Sequence, residues 1–216
     1  MKYDVILFDL DGTVADSGLG VTNSVKYALE KFGIKPGSRE ELNRFVGPPL
    51  TESFMTFCGF DYEKALLGIE YYREYYKETG IFECSLYDGI KELLIQLKSR
   101  GIKLVLATSK PELFAHRVLD FLGVHACFDF IAGASMDEKT RTTKSQVIDY
   151  ALKMADINDT SRVLMVGDRK FDVNGAKEFN IKTVGVTFGY GTREELLEAG
   201  AVYIADTPLD VLQFIE

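Results

Sequence analysis

Residues 4–13 read DVILFDLDGT, a short apolar run followed by acidic residues and a glycine. The run at 4–9 is almost continuously apolar, which is typical of a strand buried on both faces of a parallel sheet. Asp9, Asp11 and Gly12 come where that strand ends. Open parallel sheets bind their ligands at the carboxyl ends of the strands. The stretch therefore predicts an α/β fold with a polar site beside its first strand.

Further apolar runs of the same kind follow along the chain, at 102–107, 128–132, 162–166 and 182–186, with a weaker one at 202–204. Helical patterns lie between most of them, at 88–100, 112–122, 144–155, 172–179 and 192–199. This alternation of strand and helix predicts a doubly wound, Rossmann-like α/β fold with a parallel sheet.

The interval between the first two strands, about residues 14–101, is far longer than a usual crossover of about a dozen residues. Apolar residues recur in it at helical spacing over 21–32 and 62–76. We expect residues 16–83 to form a small α-helical cap domain, inserted into a catalytic core of residues 1–15 and 84–216. The tyrosines of the 62–76 pattern are interpreted as packing residues of this insert rather than as ligand contacts.

The acidic residues after the first strand suit covalent chemistry. Asp9 at a strand end can be a nucleophile. A turn at Asp11 would bring its carboxyl group to the leaving oxygen, first as general acid and then as general base. Gly12 lets the backbone approach a phosphate closely and offer its N–H.

Two further acidic residues follow the strand at 162–166, in the pattern G-D-x-x-x-D. Asp168 and Asp172 would join Asp9 at the same edge of the sheet. Several carboxylates in one place repel one another unless a cation neutralises them, and hard oxygen ligands select Mg²⁺. The sequence therefore predicts a magnesium site.

Candidate phosphate ligands come from two other segments. Thr108, Ser109 and Lys110 follow the second strand, and Lys144 precedes a helix. Their hydroxyl, N–H and ammonium groups could hold the equatorial oxygens of a phosphoryl group. Lys110 precedes Pro111 and could instead belong to a loop.

The chain resembles the haloacid-dehalogenase-like phosphatase superfamily in four motifs and in their order. Residues 8–13 (FDLDGT) look like the first motif and 106–110 (LATSK) like the second. Lys144 resembles the third motif and 166–172 (VGDRKFD) the fourth. The match extends over essentially the whole chain.

This resemblance implies a nucleophile at Asp9 and an acid/base at Asp11, with phosphate bound by Thr108 and Lys144. It also implies Mg²⁺ held by Asp9, the carbonyl of Asp11, Asp168 and, in support, Asp172. The helical insert looks like the mobile cap of the subgroup that contains phosphoglycolate phosphatases and other small-molecule phosphatases.

Within the insert, residues 44–50 (RFVGPPL) resemble a substrate-specificity loop of phosphoglycolate-phosphatase-like enzymes, which makes Arg44 a candidate substrate contact. Residues 141–148 carry R-x-x-K-x-x-V-I, without the proline that many relatives place after the lysine. That pattern is similar to proteins named 5'-nucleotidase or phosphoglycolate phosphatase, and it adds Arg141 as a candidate phosphate contact.

Composition limits the class of partner. The 216 residues carry a formal net charge of −8, which disfavours nucleic acid. Apolar runs are too short to span a bilayer, and no leader pattern precedes the first strand. We expect a cytoplasmic enzyme that acts on a small-molecule phosphate ester and has no membrane partner.

Three other functions share parts of this pattern. A phosphosugar mutase would share all four motifs and differ only by keeping water out. A dehalogenase would not need an acid at position 11, so Asp11 argues against it. A receiver-like phospho-acceptor signalling domain would be shorter and would lack the insert.

Overall fold

The computed structural model describes residues 2–215, which fold around a six-stranded sheet with the order β5-β4-β1-β6-β7-β8. All neighbouring strands in it are parallel. The strands are β1 (Val5–Phe8), β4 (Lys103–Pro111), β5 (Phe130–Ala134), β6 (Val163–Gly167), β7 (Lys182–Val186) and β8 (Tyr203–Ala205). The predicted doubly wound fold and all six predicted strands are confirmed.

Five helices cover the two faces of this sheet. They are α5 (Ile90–Ser99), α6 (Glu112–Leu122), α7 (Lys144–Met154), α8 (Lys170–Lys177) and α9 (Arg193–Ala199). Each face contributes a separate hydrophobic cluster, because successive side chains of a strand point to opposite sides. Phe8 and Leu106 lie in one cluster, and Leu7 and Val105 in the other.

The segment between β1 and β4 is helical, as expected. It contains α1 (Gly18–Lys31), α2 (Arg39–Leu42), α3 (Leu50–Cys58) and α4 (Tyr62–Tyr76). Its interior is rich in aromatic contacts, such as the edge-on pair of Phe45 and Phe54 at 5.4 Å. Among residues 2–215, no helix has the length and apolar character that crossing a bilayer requires.

A two-stranded antiparallel ribbon links this helical segment to the sheet. β2 (Ala15–Asp16) lies on the outgoing chain and β3 (Ser85–Leu86) on the returning chain. This ribbon cannot be predicted from the sequence, because strands of two residues are too short to show a period.

Two boundaries differ from the predicted ones in ways that affect the site. β4 continues to Pro111 through an irregularity in its pairing with β5, so Lys110 lies within a strand rather than in a loop. α8 begins at Lys170, two residues before the predicted start, because Asp172 accepts from the N–H of Arg169 and caps the helix.

Candidate active site

The carboxyl ends of β4, β1 and β6 lie side by side, and they bring the candidate residues together. Asp9 follows β1, and its N–H donates to the carbonyl of Val166 on β6 at 3.0 Å. Asp168 follows β6, and Lys144 opens α7. All three of these side chains are buried. The geometric expectation that residues distant in sequence meet at this edge is confirmed.

Lys144 is the cation at the centre of the cluster. Its Nζ donates to Asp9 Oδ1 at 2.6 Å and to the carbonyl of Ala107 at 3.0 Å. Asp172 Oδ1 lies 2.8 Å from the same Nζ. A capping box of Thr143 and Gln146 fixes the first turn of α7, so the lysine enters the site from a rigid helix end.

Burial is the largest single influence on the pKa of each of these groups. It raises the pKa of Asp9 from 3.8 to about 6, although the ammonium of Lys144 acts in the opposite direction. Burial also raises the pKa of Asp168 well above its ordinary value, with the charges of Asp172 and Asp9 adding to the effect. For Lys144, burial alone would lower the pKa, but the Asp172 and Asp9 carboxylates raise it above the usual range.

The donor set fits a divalent cation. Asp9, Asp168 and Asp172 each offer an oxygen, and these oxygens lie within 4.8 Å of one another. Octahedral Mg²⁺ holds neighbouring oxygens about 3 Å apart, so small side-chain rotations would close the set. Three carboxylates against one ammonium leave a net buried negative charge, which is costly without a further cation.

Backbone and hydroxyl groups hold Asp168 in place. The N–H of Tyr190 donates to Asp168 Oδ2 at 2.7 Å, and the Thr13 hydroxyl lies 3.5 Å from Oδ1. The Tyr190 hydroxyl in turn donates to Asp16 and accepts from the N–H of Gly18 at 2.6 Å. One residue therefore connects the proposed metal ligand to the ribbon that leads into the helical segment.

Asp11 faces a second lysine. Its Oδ1 accepts from the Ser17 hydroxyl at 2.5 Å, and its Oδ2 lies 3.1 Å from Nζ of Lys110. Lys110 Nζ also donates to the hydroxyl of Tyr76 at 2.6 Å. Because Tyr76 ends α4, a side chain of the helical insert touches an ammonium group of the site directly.

Gly12 lies where the structure leaves no room for a side chain. Its φ is +88°, and a Cβ placed there would lie 2.2 Å from Asp168 Oδ2. Its N–H, however, donates to the carbonyl of Ala15 at 2.9 Å. The expectation that this N–H is offered to a phosphate is therefore not met here, because the turn after β1 uses it internally.

A cavity of about 60 Å³ lies between the helical segment and the sheet. Asp11, Ser109 and Lys110 line it on the sheet side, and Arg73 and Glu138 line it elsewhere. The remaining walls are mostly apolar and aromatic, formed by residues that include Phe45, Pro48, Leu50, Tyr72, Tyr76 and Phe114. Tyr72 and Tyr76, two of the α4 tyrosines that are expected to be packing residues, thus also line the cavity.

The remaining candidates have different places. Thr108 is buried in β4, and its hydroxyl accepts from the N–H of Lys110 at 3.1 Å. Arg44 is exposed, with its guanidinium 4.7 Å from the ring centre of Phe57, and it does not line the cavity. Arg141 likewise lies outside the lining, 3.9 Å from the ring centre of Tyr150.

Sequence reasoning did not identify Tyr190, although one signal was present. Glycines flank it at positions 189 and 191. A Cβ on Gly189 would lie 2.2 Å from the carbonyl oxygen of Gly12, and one on Gly191 would lie 1.9 Å from that of Asp168. Paired glycines in a loop can signal such close backbone approach.

Comparisons of the chain with family models and with known proteins agree with one another. A model of haloacid dehalogenase-like hydrolases matches residues 6–186. A 5'-nucleotidase of Pseudomonas aeruginosa is 39% identical over 196 residues, which cover 91% of this chain and 88% of that protein. A phosphoglycolate phosphatase of Colwellia psychrerythraea is 28% identical over 216 residues, covering 95% and 94%.

A protein kinase and a solved phosphatase structure are also similar to this chain. The tyrosine-protein kinase PtkA of Mycobacterium tuberculosis is 39% identical over 189 residues, covering 87% of this chain but 63% of that protein. Among solved structures, a predicted phosphatase from Clostridium acetobutylicum has a TM-score of 0.96 and 46% identity, covering 100% of this chain and 99% of its own.

Proposed function

The chain belongs to the haloacid dehalogenase-like hydrolase family, and from that membership we propose that it is a magnesium-dependent phosphatase acting through an aspartyl-phosphate on Asp9. Its substrate is a small phosphomonoester, of the class to which nucleoside monophosphates and phosphoglycolate both belong. The observation that carries the proposal is the buried cluster of Asp9, Asp168, Asp172 and Lys144 at the carboxyl end of the sheet.

Asp9, Asp168 and Asp172 would hold the magnesium ion. When bound, the ion offsets the repulsion between the carboxylates and the anionic phosphate and polarises the phosphoryl oxygens. Lys144 orients the Asp9 carboxylate at 2.6 Å and contributes positive charge to the phosphoryl group. Thr108 and Ser109, in the last part of β4, supply further polar contacts to it.

The chemistry has two steps. Asp9 attacks phosphorus, so that a carboxylate O–P bond forms while the bond to the leaving oxygen breaks, and Asp11 donates a proton to that oxygen. Asp11 then takes a proton from water, whose oxygen attacks the aspartyl-phosphate. Inorganic phosphate leaves, and the Asp9 carboxylate is restored.

The helical insert, residues 16–83, acts as a cap in this proposal. It turns on the β2–β3 ribbon, admits the ester when open and excludes bulk water when closed. Tyr76 supports this role, because its contact with Lys110 requires the insert to be docked on the sheet.

The test is hydrolysis of simple phosphomonoesters with Mg²⁺ by the wild type, Asp9→Asn and Asp11→Asn. We expect turnover by the wild type and almost none by either variant, with a phosphoenzyme trapped in Asp11→Asn. Asp4→Asn, at the exposed position directly before β1, is the matched control and should retain turnover. Turnover retained by Asp9→Asn would refute the nucleophile.

The same samples should be offered ATP with a tyrosine peptide, because PtkA is named a tyrosine kinase. We expect no phosphopeptide from this chain. An assay with a sugar monophosphate would similarly detect a mutase, since phosphate would then appear on a second hydroxyl of the sugar rather than in solution.

A further inference from the structure

An ion pair joins the helical insert to the sheet across the cavity. Nη2 of Arg73, on α4, lies 2.5 Å from Oε1 of Glu138, which belongs to the loop after β5. Arg73 also donates to the carbonyl of Met136 at 3.1 Å, and Thr51 on α3 donates to Oε2 of Glu138 at 3.2 Å. Both groups are therefore held by several partners.

Glu138 adopts a backbone conformation that is unfavourable for a residue with a side chain. Its φ is +54°, in the left-handed region that residues with a Cβ rarely adopt. Such a conformation persists where the surroundings over-determine it, and it is enriched at ligand clamps and active sites. Its contacts with Arg73 and Thr51 are the constraints visible here.

The charges that line the cavity cancel. Four charged side chains line it within residues 2–215, namely Asp11, Lys110, Arg73 and Glu138. Each cation is paired with an anion, since Lys110 lies 3.1 Å from Asp11 and Arg73 lies 2.5 Å from Glu138. No cationic side chain of the lining is left to receive a second anionic group of a substrate.

We propose that Glu138 is a specificity-determining residue, which neutralises Arg73 and so selects phosphomonoesters whose leaving group carries no negative charge. This inference rests on the proposed function. A second carboxylate or phosphate would enter a mostly apolar cavity without a free counter-charge, which is costly. A neutral alcohol with an apolar or ring portion, such as a nucleoside, instead meets the aromatic faces of Tyr72 and Phe114. Phosphoglycolate and pyrophosphate would be disfavoured.

The experiment compares kcat/KM for phosphoglycolate and for ethyl phosphate, which differ in the charge of the leaving group. We expect Glu138→Gln, which leaves Arg73 without its charge partner, to raise the ratio of phosphoglycolate to ethyl phosphate by at least roughly five-fold. Arg73→Gln should lower that ratio. Glu63→Gln, an exposed acid on the same α4 helix, removes an equal charge away from the cavity and should leave the ratio unchanged.

A smaller rise in Glu138→Gln overturns the inference, as does a wild type that prefers phosphoglycolate or pyrophosphate to nucleoside monophosphates. If Glu138→Gln does not fold, the predicted fall in Arg73→Gln decides the matter. Failure of the proposed function looks different, because the wild type would then hydrolyse neither ester with Mg²⁺.

Discussion

Replacing Asp9, the proposed nucleophile, should stabilise the metal-free protein. Asp9 is buried, and burial raises its pKa from 3.8 to about 6, so its charged form is disfavoured in the folded state. Asparagine keeps the shape of the protonated acid and cannot ionise. Asp9→Asn therefore removes an energetic penalty that the wild type carries whenever Asp9 is charged without a metal ion.

The size of the effect follows from the pKa shift. A rise from 3.8 to about 6 corresponds to about 3 kcal/mol in the free energy of unfolding, at about 1.4 kcal/mol per pKa unit. For a chain of this length, that is roughly 6–12 °C in Tm. Asp168 adds to the gain, since the charge of Asp9 is one of the causes that raise its pKa.

The pH dependence has a definite sign. The folded protein holds the Asp9 proton more tightly than the unfolded chain, so the wild type loses stability as pH rises from about 4 to about 6. The penalty is absent below that window and complete above it. Asp9→Asn should therefore match the wild type near pH 4 and exceed it at pH 7.5.

Urea unfolding at 25 °C in EDTA, at both pH values, measures the difference. Saturating Mg²⁺ should reverse the order at pH 7.5, because the proposed metal site uses the charged Asp9 carboxylate and a neutral amide is a weaker ligand. Asp4→Asn is the control, because the pKa of this exposed residue is lowered by its hydrogen bond with Arg162 and its loss stabilises nothing. An Asp9→Asn protein no more stable than the wild type at pH 7.5 in EDTA would refute the reasoning.

Other consequences can be checked by kinetics. Tyr76→Phe removes a hydrogen-bond acceptor that lies 2.6 Å from Nζ of Lys110, and kcat/KM should fall roughly ten-fold with little change in stability. Unchanged kinetics would show that this contact does not contribute to turnover. Gly12→Ala should abolish both activity and the stabilisation by Mg²⁺, because its Cβ would lie 2.2 Å from Asp168. Gly101→Ala has a similar φ of +76° in open space, so it should cost stability but not turnover, and equal losses in the two variants would contradict this account. EDTA should silence the enzyme and Mg²⁺ restore it, whereas restoration by Ca²⁺ to the same rate would argue against an octahedral magnesium site.

Most of the sheet could be predicted from the sequence because its strands are buried on both faces. Such strands are short, continuous apolar runs, and the runs at 4–9 and 162–166 correspond closely to β1 and β6. The β2–β3 ribbon could not be predicted in this way, because strands of two residues are too short to show an apolar run or a period. The extension of β4 to Pro111 was missed for a related reason, since proline usually ends a strand.

The residues of the candidate site also fall into two groups, those that could be predicted from the sequence and those that could not. Asp9, Asp168 and Lys144 could be predicted because each follows or precedes a recognisable element and the sheet order brings these positions together. Tyr190 and Glu138 could not, because their roles depend on where loops come to rest. Gly12 was identified for its backbone freedom, but the partner of its N–H depends on a turn that only the structure shows.

The ribbon also bears on how such enzymes diversify. The chain leaves the sheet at Ala15–Asp16 and returns beside it at Ser85–Leu86. The residues between these points are therefore joined covalently to the rest of the chain only through this ribbon. A different insert, or a tight turn, could take its place without breaking any strand pairing of the main sheet. The sheet edge that carries Asp9 and Asp168 can therefore be inherited unchanged while the segment that covers it is exchanged.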